Sequence, residues 1–207
     1  MIELKENDLY FAKVNPNAII PTKEKENAGY DIYACFEDDY IVIPPHSTKL
    51  VPTGIASAIS DKYYLGVAER GSTGKIGMKY SAGIIDSGYR GQIFVALSNV
   101  NNVEIIISKL SKEELIDKYG EIYKYNYKEE RSDVILKYGE GEYEFAFLID
   151  TDTKNNIEAI IYPYSKAIAQ LIVHEVHNEV IPKEVSYEEL QSITSKRGIG
   201  SLGSSGK

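Results

Sequence analysis

Between residue 8 and about residue 106 the chain consists of short runs rich in Ile, Val and Tyr, broken by turn residues. The segments DIYACF (31–36), YIVIPP (40–45), KLVPTGIASAI (49–59), YYLGVAE (63–69) and QIFVALS (92–98) carry this texture, and several alternate apolar and polar positions. In the last of them Ile93, Val95 and Leu97 share one face, because successive side chains of a strand point to opposite sides. No long helical period interrupts the span. Strands separated by turn signals predict an all-β sandwich or jelly roll, and AIAQLIVHEV (167–176) predicts a further strand of the same assembly.

From about 105 to 163 the pattern changes to an acidic, tyrosine-rich stretch. Within it SKEELIDKYGEIY opens on Ser111 and Glu114, the S-x-x-E spacing of a capping box, in which each side chain satisfies a free amide of a helix start. The pattern therefore predicts a β domain over 1–104 and 164–194, interrupted by a mixed α/β insert at 105–163. SYEELQSIT (186–194) predicts a second capped turn, followed by a glycine-rich tail, 195–207.

Composition narrows the function. The 207 residues are 43% hydrophobic and 26% charged, which suits a globular domain with a real core. A net charge of −8 argues against a nucleic-acid or anionic-membrane surface, so an anionic ligand must be held by a few local cations. Cys35 is the one cysteine, which excludes an intramolecular disulfide and a cysteine metal cluster. Glu3, Glu6 and Asp8 break the start of the chain where a secretory segment needs an apolar run, and no stretch approaches the ~20 apolar residues of a membrane span. These features predict a cytoplasmic protein. His174 and His177 make a poor zinc pair, since three-residue spacing on a strand puts them on opposite faces.

Four stretches carry residues that a plain sandwich does not require. In AERGSTGKIG (68–77), Arg70 leads into Gly71, Ser72, Thr73 and Gly74, a composition that serves either a polar turn or a phosphate cradle of amides, hydroxyls and a guanidinium. In AGIIDSGYRGQI (82–93), two β-like arms flank Asp86, Ser87 and Gly88, with Tyr89 beyond. That is an ordinary turn, or a hairpin whose backbone meets a base edge while the ring packs on the sugar. In AGYDIYA (28–34), Asp31 interrupts an apolar strand and needs a charged or hydrogen-bonding partner. The tail RGIGSLGSSGK (197–207) spells G-x-G-x-x-G at Gly198, Gly200 and Gly203, but no helix follows, so it is not a dinucleotide fingerprint. It reads as a terminal scar or as another phosphate holder.

Taken in order, AGYDIYA, ERGSTG, GIIDSGYRG, AIAQL and RGIGSLGSSG resemble the five motifs of the trimeric dUTPases, over residues 8–104 and 165–207. The resemblance implies a jelly-roll sandwich of the dUTPase-like, β-clip type. It also implies hydrolysis of dUTP to dUMP and pyrophosphate, which limits uracil incorporation into DNA and supplies dUMP for dTMP synthesis. Asp86 then matches the carboxylate that orients and deprotonates the attacking water, and Tyr89 the ring that leaves no room for a 2′-hydroxyl. Gly83 and Ile85 fall in the uracil-reading hairpin. Arg70, Gly71, Ser72 and Gln170 match phosphate-binding positions. Arg197 matches the cation on the γ-phosphate, with Leu202, Gly203, Ser204 and Ser205 in the lid that closes beside it. Asp31 becomes a support residue near the phosphates, and Mg2+ is carried by the substrate rather than by direct protein ligands. A homotrimer is implied, each active site drawing motifs from more than one subunit.

The sequence departs from the family pattern at several places. Gly71 stands where a serine usually follows the arginine, Tyr164, Ser165 and Lys166 replace the usual Gly-Asp-Arg lead-in, and Leu202 replaces the aromatic of the tail. The long gap between Asp86 and Gln170 resembles phage-encoded dUTPases that carry an extra segment at this point. Two other readings share the fold. A dCTP deaminase needs a glutamate where FVALSN has Ala96, three residues before Asn99, and lacks its proton shuttle here. A binding protein on the same scaffold would use the tyrosine-rich insert to engage a protein partner, beside catalysis or instead of it.

Overall fold

The period-two pattern is built into the core. In the computed structural model, which describes residues 3–111, 113–115, 144–149 and 156–195, Ile93, Val95 and Leu97 are all at most 1% exposed. The first nine strands run β1 (Leu9–Lys13), β2 (Tyr30–Tyr33), β3 (Tyr40–Ile43), β4 (Thr48–Pro52), β5 (Ile55–Ile59), β6 (Tyr63–Ala68), β7 (Met78–Tyr80), β8 (Ile84–Ile85) and β9 (Phe94–Asn99). A short helix, α1 (Gly71–Lys75), lies between β6 and β7. Then come β10 (Glu104–Ser108), β11 (Glu144–Ile149), β12 (Asn156–Pro163) and β13 (Ala167–Glu175). KLVPTGIASAI splits into β4 and β5 at Gly54, whose φ of +66° and contact with Ala18, 2.8 Å from where a Cβ would stand, admit no side chain.

The strands form four sheets, ordered β1-β5, β11-β12-β10-β3, β2-β13-β6-β8 and β4-β9-β7. All four contribute to one apolar core, represented by Ile55, Ile43, Leu65 and Val95, each fully buried. This is the all-β jelly-roll architecture that the pattern predicts.

The composition change at residue 105 marks a boundary that the packing does not follow. Ile105 and Ile107 of β10 and Tyr162 of β12 are fully buried in the main core. β10 pairs antiparallel with β3 and parallel with β12, with Ile107 opposite Tyr162. A parallel pair needs a long crossover, so the chain between β10 and β12 is that crossover as well as an elaboration. The segment outside the β core is thus narrower than 105–163. Ile106, on the other face of β10, joins Leu115, Ala159 and Ile161 in a second small core. The capping box at its entrance is formed: Glu114 N–H donates to Ser111 Oγ (3.2 Å) and Ser111 N–H to Glu114 Oε2 (2.7 Å).

The chain divides after Val176. In the second unit, α2 (Tyr187–Ser192) carries the predicted cap, with Glu189 N–H donating to Ser186 Oγ (3.1 Å) and Ser186 N–H to Glu189 Oε2 (2.8 Å). The hydrogen bond from the Ser186 amide holds the Glu189 carboxyl below its ordinary range. No described helix is long and apolar enough to cross a membrane.

Candidate active site

ERGSTG is a turn that becomes a helix. Arg70 is the N-cap of α1, and the Thr73 hydroxyl, 1% exposed, does the capping: it accepts from Arg70 N–H (3.1 Å) and donates to Arg70 C=O (3.0 Å). The helix closes with Gly74 N–H donating to Arg70 C=O (2.9 Å). This fixes the backbone from which the Arg70 side chain leaves. The amides of Gly71 and Ser72 belong to the first turn, which has no acceptor within the helix, and the space beside Gly71 is open for 4 Å.

The Arg70 guanidinium is held by three acceptors. Nε and Nη2 donate to the two carboxylate oxygens of Asp31 (3.0 and 3.2 Å), and Nη1 donates to the Ala167 carbonyl (3.3 Å). Asp31 thus has the partner that an acid in an apolar strand requires, and both side chains stay about one-third exposed. Gln170, opposite Asp31 in the β13–β2 ladder and opposite Ala68 in the β13–β6 ladder, donates from Nε2 to the Glu69 carbonyl (2.7 Å). Its Oε1 lies 2.6 Å from where a Cβ on Gly29 would stand, so that glycine makes room for it. The first, second and fourth motifs are therefore locked together. A second ion pair, Lys79 to Glu69 at 2.9 Å, lies over Gly74.

Within the unusual lead-in Tyr164, Ser165 and Lys166, the tyrosine has a packing role. Tyr164 packs edge-on against Phe36, with ring centroids 4.9 Å apart, and Lys109 Nζ sits 5.1 Å from both rings while donating to the Phe36 carbonyl (2.6 Å). Burial pushes the Tyr164 phenol above its ordinary value, with the neighbouring Cys35 adding to the shift.

The third motif forms a separate group. β8 is the edge strand beside β6, with Ile85 opposite Leu65 and Ile84 opposite Gly66, and Val67 N–H donates to Gly83 C=O (2.7 Å). Antiparallel ladders alternate bonded and non-bonded pairs, so this phase directs Gly83 C=O and Ile85 toward β6 and turns the Ile84 amide and carbonyl off the sheet edge. Ile84 was not singled out from the sequence; the same period-two rule applied to backbone groups would have found it. At the turn, Tyr89 N–H donates to Asp86 C=O (3.0 Å), and the Asp86 carboxylate is exposed. The Tyr89 ring lies over Gly91 and is tethered by its hydroxyl to the Gln92 carbonyl (2.9 Å), leaving the residue 45% exposed.

Among the described residues, no hydrogen bond or ion pair joins Asp86 or Tyr89 to Asp31, Arg70 or Gln170. The sheet order β2-β13-β6-β8 sets the hairpin at one edge and Asp31 at the other. Arg197, Leu202, Gly203, Ser204 and Ser205 lie outside the described residues. Ala96, where a deaminase would need its acid, is 5% exposed and faces the exposed Leu50 across the β4–β9 ladder.

Comparison with known proteins decides the family. The dUTPase family model matches residues 15–112. The deoxyuridine 5′-triphosphate nucleotidohydrolase of Leptospira interrogans is 36% identical over 103 residues, covering 48% of this chain and 70% of that protein. The chain belongs to the dUTPase family. The probable dUTPase of Schizosaccharomyces pombe is 38% identical over 100 residues, 47% of this chain and 69% of its own. Two solved phage dUTPases share the fold along most of the chain. The Staphylococcus bacteriophage 80alpha enzyme with dUPNHPP superposes with a TM-score of 0.61 at 23% identity, over 97% of this chain and 99% of that one. The phage phi11 dUTPase of S. aureus, solved to visualise its species-specific insert, gives 0.55 at 19% identity over 88% and 99%.

Proposed function

We propose that the chain hydrolyses dUTP to dUMP and pyrophosphate, as the names of its family relatives describe for them. The observation that carries this reading is the third-motif hairpin. It presents an exposed carboxylate at Asp86, a tethered ring at Tyr89 and an unpaired backbone edge at Ile84 on one short segment. In this reading the Ile84 amide and carbonyl, with the flanking Gly83 and Ile85, meet the Watson–Crick edge of uracil. Tyr89 packs on deoxyribose and excludes a 2′-hydroxyl. Asp86 takes a proton from the water that attacks the α-phosphorus; the new P–O bond forms as the bond to the bridging oxygen breaks, and pyrophosphate leaves. Such base action is worth about 10²- to 10⁴-fold.

The phosphates fall to Arg70, the amides of Gly71 and Ser72, and the tail residues Arg197, Leu202, Gly203 and Ser204. Gln170 acts by holding the Glu69 carbonyl in place. Asp31 acts by aiming Arg70.

Mg2+ fits this arrangement as an ion carried by the substrate. The nearest acids of the cluster, Asp31 and Glu69, are each engaged by a cation. When bound through the triphosphate, Mg2+ supplies neutralisation of phosphate charge. That no hydrogen bond or ion pair among the described residues joins the hairpin residues Asp86 and Tyr89 to Asp31, Arg70 or Gln170 supports a trimer whose sites combine the two groups from different subunits. The acidic, tyrosine-rich composition of the segment between β10 and β12 supports a second reading, in which it engages a protein partner, with catalysis or instead of it.

The test is pyrophosphate release from dUTP, dTTP, dCTP and UTP with Mg2+. Turnover confined to dUTP supports the reading, and comparable turnover of UTP overturns it.

A further inference from the structure

We propose that Tyr162 is a positioning residue for phosphate binding, acting through the Ala167 carbonyl on Arg70; the inference rests on the dUTPase reading of the site. The Tyr162 ring is fully buried in the main core, and it carries a hydroxyl there. That hydroxyl donates to the Ala167 carbonyl at 2.5 Å. The same carbonyl accepts from Arg70 Nη1 at 3.3 Å. A carbonyl oxygen has two lone pairs, and here one is taken by the tyrosine and the other by the arginine.

The backbone is arranged for this. The register of β13 against β2 slips between Ala167 and Ala169, and a bulge of this kind breaks the ladder and re-aims local groups. Ala167 itself is 2% exposed, so water has little access to compete for its oxygen. Asp31 holds Nε and Nη2 of the guanidinium, and the carbonyl holds Nη1. With only the Asp31 contacts, the pair can still pivot as a unit. The third contact fixes its orientation, and Tyr162 fixes the third contact. Tyr162 also sits opposite Ile107 in the parallel β10–β12 pair, so it connects the strand that returns from the crossover to the phosphate cluster.

The test uses Tyr162→Phe, which keeps the ring and removes the donor. Binding of the non-hydrolysable α,β-imido-dUTP and of deoxyuridine is measured by calorimetry with Mg2+. The expected result is a loss of about five- to tenfold for the triphosphate and less than twofold for the nucleoside, with kcat for dUTP changed less than KM. In an Arg70→Ala background the same substitution is expected to change triphosphate binding less than twofold, since neighbours acting through one group are not additive. An equal loss for both ligands, no loss for either, or the same loss with Arg70 absent overturns the proposal. Failure of the wild-type chain to bind either ligand would instead overturn the dUTPase reading. Should Tyr162→Phe fail to fold, 4-aminophenylalanine and 4-methylphenylalanine at 162 make the same comparison, because both fill the para position and only the first donates. Triphosphate affinity must then be higher with the amino group, and equal affinities overturn the proposal.

Discussion

Gly91→Ala is the sharpest test of the proposal that the hairpin excludes ribonucleotides. A Cβ at this position would stand 2.7 Å from Tyr89 Cζ and 3.0 Å from Cε2, and closer still to the hydroxyl. Separations below about 3.0 Å are not tolerated, so the ring must move. Gly91 is not among the residues with positive φ, and alanine suits its backbone, so the fold itself is not strained. Moving the ring breaks the hydroxyl bond to the Gln92 carbonyl, worth about 1 kcal/mol net. Holding the side chain off its rotamer adds about 0.5–1.5 kcal/mol. A combined cost near 2 kcal/mol corresponds to about 30-fold in a ratio of rate constants. The discrimination between dUTP and UTP, measured as the ratio of kcat/KM values from pyrophosphate release, should fall by about that factor. Tyr89→Phe, which loses only the tether, should fall by less. If Gly91→Ala leaves the ratio unchanged while circular dichroism shows a native fold, the ring is not the gate against a 2′-hydroxyl.

Asp86→Asn should lower kcat by about 10²-fold or more with KM within a few-fold, since it keeps shape and removes the base; near-normal kcat in a steady-state assay would exclude that role. Thr73→Val should destabilise the domain by about 1–3 kcal/mol in urea unfolding, because it strands the Arg70 amide, and it should raise KM for dUTP. Leu115→Ala should cost about 2–5 kcal/mol of the second core's stability, read as faster hydrogen exchange in β12 with the Leu65 region unchanged. The α2 cap should follow pH with a definite sign. Because the folded Glu189 carboxyl is depressed, the cap is fully present above its ordinary value of 4.5 and lost as pH falls through the lower folded value, which an acid titration followed at the Glu189 amide would register.

Strand identities were legible because alternation is a local property. Ile93, Val95 and Leu97 could be assigned to one buried face without knowing what they face, and both Ser-x-x-Glu caps formed where the spacing set them. Non-local pairing was not legible. Ile105 to Ile107 is a short apolar run, and pairing with β3 on one side and with β12, far along the chain, on the other sets it in core on both faces. The site shows the same division. Arg70, Asp31 and Gln170 could be singled out by type and motif, but the pairing of Arg70 with Asp31 rather than with open solvent is a tertiary fact. So is the commitment of the Gln170 amide to Glu69. α1 escaped notice because Gly71 and Gly74 are poor helix formers; Thr73 compensates by bonding Arg70 on both sides.

Among the described residues, Arg70 and its neighbour Lys79 are each matched by a carboxylate, and in the proposed reading this bears on how a substrate arrives as much as on how it is held. At distances beyond a few ångströms a matched pair is a dipole, whose field fades faster than that of a free charge. What an approaching polyanion senses from afar is therefore the chain's formal charge of −8. Diffusional encounter is opposed, not steered. Added salt shortens the Debye length to about 10 Å at 0.1 M and weakens that opposition, so the bimolecular association rate should climb with ionic strength, the reverse of an enzyme that funnels its ligand through a basic mouth.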